Sequence, residues 1–105
     1  MKEKLAEFLK SGADWEREPT TIPGVFVLRM PESRINSASL AIEINPVDAG
    51  GNPTKKRGLI VRSAEELDRF AKIIQDEKVR ELLKNMGDVN PQAKKKLPGE
   101  DVLEV

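Results

Sequence analysis

Between Val61 and Leu67 the spacing of apolar residues changes from that of a strand to that of a helix, and this junction limits the possible folds more than any other stretch. Leu59-Ile60-Val61 is a short apolar run preceded by Gly58, which reads as a strand, and Arg62 closes it. Ser63-Ala-Glu-Glu then forms a capping box, with Ser63 as N-cap and Glu66 three residues on. Leu67, Phe70, Ala71 and Ile74 follow at helical spacing. A strand that runs straight into an amphipathic helix, with other strand-like segments upstream, points to an α+β fold.

The upstream segments supply the rest of a sheet. Val25–Met30 alternates Phe26, Leu28 and Met30 with Val25, Val27 and Arg29, and reads as a strand apolar on both sides. After a turn at Pro31-Glu32-Ser33, residues 35–44 predict a second strand. Ala38, Leu40, Ile42 and Ile44 point one way; Ser37, Ser39, Ala41 and Glu43 point the other. The small, polar set is the side expected to face water or a ligand. Residues 45–54, rich in turn formers and carrying Gly50-Gly51 at a mobile tip, join this strand to one over Lys55–Arg62 as a long antiparallel hairpin. Residues 2–10 place Leu5, Phe8 and Leu9 on one face of a short helix, with Gly12 suited to a left-handed C-terminal cap. Residues 13–24 read as a linker or wrapped loop. The expected architecture is a small antiparallel sheet of three to four strands, packed with a long C-terminal helix and a short N-terminal helix. It forms one domain over residues 1–90, followed by a tail at 91–105.

The helix over 63–87 changes phase along its length. Val79, Leu82, Leu83 and Met86 centre about 110° round from the Leu67 cluster at 100° per residue, and the polar Gln75-Asp76-Glu77-Lys78 lies between. Either the helix breaks near 76–78, or one continuous helix packs its halves on different surfaces. In the second case the distal half, 78–87, offers those four side chains for assembly of a homo-oligomer, a dimer or tetramer.

Histidine and cysteine are both absent, which removes disulfides, thiolate metal sites, cysteine nucleophiles and histidine triads. No phosphate-binding glycine loop and no calcium loop is present. The expectation is a protein that is not an enzyme, with no catalytic residue, no metal and no cofactor. The charged N-terminus and the lack of a long apolar run predict a cytoplasmic protein without a membrane segment. Abundant Lys and Glu without Cys suit a thermophile.

Eighteen Lys plus Arg balance eighteen Asp plus Glu, so affinity for a polyanion must come from local segregation of charge. Arg29, Arg34, Lys55, Lys56, Arg57 and Arg62 all fall on or beside the expected sheet. Cations that track phosphates, next to flat or apolar groups that receive bases, are the usual means of holding a single strand. No basic helix is available for a major groove. Trp15, in an otherwise charged segment, is either a hydrophobic plug at the sheet edge or a stacking platform for a base. The other reading of the chain is a non-catalytic protein-interaction or regulatory subunit that self-associates through its C-terminal helix.

Asn52-Pro-Thr-Lys-Lys-Arg-Gly-Leu-Ile-Val-Arg-Ser, the following Glu-Glu-Leu-Asp-Arg-Phe helix, and Lys78-Val-Arg-Glu-Leu-Leu together resemble the archaeal ThermoDBP-like single-stranded-nucleic-acid-binding proteins, over roughly residues 20–90. The resemblance implies a small α+β domain with an antiparallel sheet, a cleft lined by basic and hydrophobic residues, and C-terminal helices that assemble the oligomer. It implies backbone contacts from Lys55, Lys56, Arg57 and Arg62, and base contacts from Trp15 and Phe26, with single-stranded DNA or RNA as the partner.

Overall fold

The computed structural model describes residues 1–91. In chain order the elements are helix α1 (Lys2–Ser11), strands β1 (Arg17–Pro19), β2 (Val25–Met30), β3 (Ser39–Ile44) and β4 (Leu59–Val61), and helices α2 (Ala64–Gln75) and α3 (Glu77–Val89). The four strands form one antiparallel sheet in the order β1-β2-β3-β4. The fold is therefore α+β, with the sheet and the short N-terminal helix expected from the sequence. The chain divides into two compact units, Met1–Ala71 and a second beginning at Lys72. Among the described residues, no helix is long and apolar enough to cross a membrane.

Several expectations change. The strand expected over Lys55–Arg62 forms only over Leu59–Val61, because the backbone of residues 55–58 is bonded to the side chains of Arg17, Glu43 and Asn45 instead of to a neighbouring strand. The second strand begins at Ser39, not at residue 35, and Ile35 is 88% exposed in the preceding loop. Residues 17–19, read as loop, form β1. Arg-Glu-Pro has little strand propensity of its own, and pairing with Leu28, Val27 and Phe26 supplies what its sequence lacks. The long C-terminal helix is two helices. Asp76 ends α2 and caps α3, its carboxylate accepting from the Lys78 amide at 2.9 Å. An N-cap inside the polar run explains the change of phase, and the continuous-helix alternative is set aside.

The capping box at Ser63 forms, with one shift. Ser63 Oγ accepts from the Glu66 amide at 3.1 Å, and Glu66 reaches back to the amide of Arg62, one residue beyond the cap. Gly12 follows α1 as expected, but its backbone is extended and not left-handed. It is glycine for space: a Cβ there would lie 2.6 Å from the Phe8 carbonyl oxygen and 2.9 Å from the Phe8 ring.

The two sides of the sheet differ from their sequence reading. Register places Phe26 beside Glu43, Leu28 beside Ala41 and Met30 beside Ser39. The bulky residues of β2 thus share a face with the small ones of β3, and this face is the buried one. Phe26, Leu28, Met30, Ala41 and Glu43 are all at or below 9% exposure. Leu40, Ile42 and Ile44, expected to be the core side of β3, are only half-buried. They share the opposite face with Val27 and Val61. There an apolar groove of about 490 Å³ runs between the sheet, Leu5 of α1 and Leu67 of α2.

Candidate functional site

Glu43, the penultimate residue of β3, is 3% exposed and is the hub of the buried face. Arg17 of β1 binds it through both forks of the guanidinium, Nε to Oε1 at 2.7 Å and Nη2 to Oε2 at 3.0 Å. The Gly58 amide donates to Oε2 at 2.7 Å, and Asn45 Nδ2 donates to the same oxygen at 3.2 Å. Burial pushes the Glu43 carboxyl up, but the Gly58 amide, Arg17 and Asn45 outweigh it and hold the group below its ordinary value. The carboxylate is therefore ionised and fully partnered.

This hub fixes the segment between residues 55 and 58 by its backbone. Asn45, which has no solvent exposure, donates from Nδ2 to the Lys55 carbonyl at 2.8 Å and accepts the Lys55 amide on Oδ1 at 3.1 Å. Arg17 Nη2 donates to the Lys56 carbonyl at 3.3 Å. Gly58 closes against β3, where a Cβ would collide with the Ile44 carbonyl and lie 2.8 Å from Asn45 Cβ. Every one of these bonds uses main-chain atoms of the loop, so the side chains of Lys55, Lys56 and Arg57 remain exposed. The preceding turn, expected to be mobile at its tip, is closed as well. Asp48 Oδ1 accepts the amides of Gly50 and Asn52, both at 2.9 Å, and Thr54 returns two hydrogen bonds to the Pro46 carbonyl.

Trp15 stands beside this loop. Its ring is half-exposed, and the Arg57 guanidinium lies over it at 5.8 Å from the centroid. Its backbone is left-handed, φ 64°, a strained conformation for a large residue. The turn is held by the Trp15 amide donating to the Arg29 carbonyl at 2.6 Å and by the Ala13 amide donating to Glu16 Oε1 at 2.8 Å. Between Trp15 and the loop opens a cleft of about 260 Å³. Leu28 and Ile60 give it an apolar surface, while Arg17, Lys56 and Arg57 give it positive charge.

The structure divides the sequence-predicted site residues. It brings Trp15, Lys56 and Arg57 to one cleft, with Lys55 adjacent in the loop. Arg62 lines the apolar groove on the opposite side of the sheet. Arg29 is 15% exposed and tied to α1, its Nε donating to the Leu9 carbonyl at 2.7 Å and Nη1 pairing with Asp14 at 2.9 Å. Arg34 is exposed in the loop before β3. Phe26 is buried at 9% exposure with the Arg17 guanidinium 5.2 Å above its ring. Arg17, Glu43 and Asn45 were not singled out from the sequence. The available signal was Glu43 itself, a lone acid in phase with Ala41 in a strand that otherwise alternates small and aliphatic residues.

In the second unit, α3 carries Val79, Leu82, Leu83 and Met86 within an arc of about 100°. Leu82 and Leu83 are 59% and 60% exposed, and Met86 44%. Compared with protein-family models, curated proteins and solved structures, the chain finds no match.

Proposed function

We propose that this protein binds single-stranded nucleic acid, DNA or RNA, with Lys55, Lys56 and Arg57 on phosphates and Trp15 on a base. The observation that carries the reading is the cationic loop, fastened through its backbone to Asn45, Arg17 and Glu43, beside a half-exposed, strained tryptophan. A fastened loop loses little conformational freedom when it meets a phosphate chain, so its charge acts with a smaller ordering penalty. Stacking on an exposed indole adds affinity that does not depend on sequence.

Titration of a labelled oligonucleotide at several salt concentrations tests this. Three phosphate contacts give a slope of log K against log salt of about −2 for a single strand. Exchanging Lys55, Lys56 and Arg57 together for Gln should flatten that slope and weaken binding at low salt. Affinity that is absent at low salt, or indifferent to salt, overturns the reading.

A second reading is favoured by the exposed Leu82 and Leu83. In it, α3 assembles the chain into a dimer or tetramer through Val79, Leu82, Leu83 and Met86, and the protein serves as a non-catalytic interaction or regulatory subunit. The two readings are compatible, because the cationic loop and α3 belong to different compact units.

A further inference from the structure

The cleft at Trp15 has an unequal supply of hydrogen-bonding groups. Arg17, Lys56, Arg57 and the Trp15 indole N–H are all donors. Among the described residues, the one acidic side chain that lines it is Glu43, and a carboxylate offers about four acceptor sites. Two N–H groups of Arg17, the Asn45 amide and the Gly58 amide already bind it. A ligand edge that brings carbonyl oxygens into this cleft finds donors, whereas an exocyclic amine finds no free side-chain acceptor among the described residues that line it. The volume of about 260 Å³ suits one base and not a stacked pair. Two stacked layers of about 3.4 Å each need about 7 Å, so the Arg57 guanidinium, now 5.8 Å from the Trp15 centroid, must move outward by only about 1 Å to sandwich a base.

We infer that the Trp15–Arg57 cleft is a seat for a single keto pyrimidine, uracil or thymine, and discriminates against the amino bases cytosine and adenine. The inference rests on the single-strand reading above and adds to it a base preference. An unpaired amine at a partly open site weakens binding about five- to tenfold.

Trp15 is the only tryptophan in the chain, so its emission reports this cleft directly. Oligomers of about 12 deoxyuridines or deoxycytidines are titrated at one salt concentration, following both a label on the oligomer and Trp15 emission. The two pyrimidines have the same size and similar backbone flexibility, and differ at C4, keto or amino, and at N3, which carries a hydrogen in uracil only. The expected result is binding of both, a saturable change in Trp15 emission, and a five- to tenfold preference for the uridine oligomer. Equal affinity for the two overturns the keto seat and leaves single-strand binding in place. Binding seen by the label with no change in Trp15 emission overturns the location of the seat. No binding of either oligomer at low salt overturns the single-strand reading, and the seat with it.

Discussion

Glu43 has four donors on its carboxylate and almost no contact with water, and its ionisation is coupled to the shape of the loop that carries Lys55–Arg57. Its folded pKa lies below the ordinary value of 4.5, so the native state binds a proton there less readily than the unfolded chain. The stability it contributes is complete above that ordinary value and is lost as pH falls through the lower, folded one. Glu43→Gln should lose about 2 kcal/mol at neutral pH, the worth of charge-assisted bonds to a partly exposed arginine. It should also unfold less steeply on acidification than the parent protein. Circular dichroism melts across pH 2 to 7, at roughly half-unit spacing, check both. A parallel decline of the two proteins over the acid range would show that Glu43 is not the coupled group. None of this was visible in the sequence, because Glu43 and Arg17 are 26 positions apart and only the register of β1 and β3 on β2 brings them together.

Among the elements, those whose signals are local were legible and those that depend on neighbours were not. The β4-to-α2 junction needs only Leu59–Val61 and the Ser63–Glu66 box, and both form where the sequence puts them. The polar run at 75–78 marked where the C-terminal helix breaks, and the Asp76 cap supplies the reason. By contrast, the buried side of β3 was misread because alternation alone says which residues share a face, not which face is covered. Phe26, Leu28 and Met30 decide it from the next strand. The candidate site was legible in the same uneven way. Charge density picked out Lys55, Lys56 and Arg57, but it could not separate them from Arg29, whose guanidinium is occupied by α1 and Asp14. The same packing gives a prediction for the β3–β4 hairpin. Gly58→Ala forces a methyl against the Ile44 carbonyl and Asn45, and should cost about 2 kcal/mol of overpacking. Because it also displaces the Lys55–Arg57 backbone, oligonucleotide affinity should fall although no cation is removed. Denaturant melts and the salt-dependent titration read these two effects separately, and unchanged affinity in a destabilised variant would uncouple the loop from the hairpin.

At the scale of the whole molecule, the thirteen-residue helix past Asp76 leaves Leu82, Leu83, Met86 and Val89 exposed. An isolated helix of that length is marginal in water unless its apolar face is covered. In the proposed assembly, Val79, Leu82, Leu83 and Met86 of neighbouring chains would supply that cover. Light scattering should give the mass of at least two chains, and the melting temperature should rise with protein concentration. Leu82→Glu with Leu83→Glu should give single chains whose melting temperature no longer depends on concentration. Wild-type protein that stays monomeric at high concentration removes this assembly.

The fastening of residues 55–58 separates two properties that most loops combine. Asn45, Arg17 and Glu43 hold main-chain atoms only, so the path of the loop does not depend on which side chains it carries at 55, 56 and 57. Those three positions behave as a replaceable cassette on a fixed frame. Exchanging them for acidic, aromatic or metal-ligating residues re-targets the surface while the frame is inherited unchanged, a favourable starting point for selection in nature or from a library.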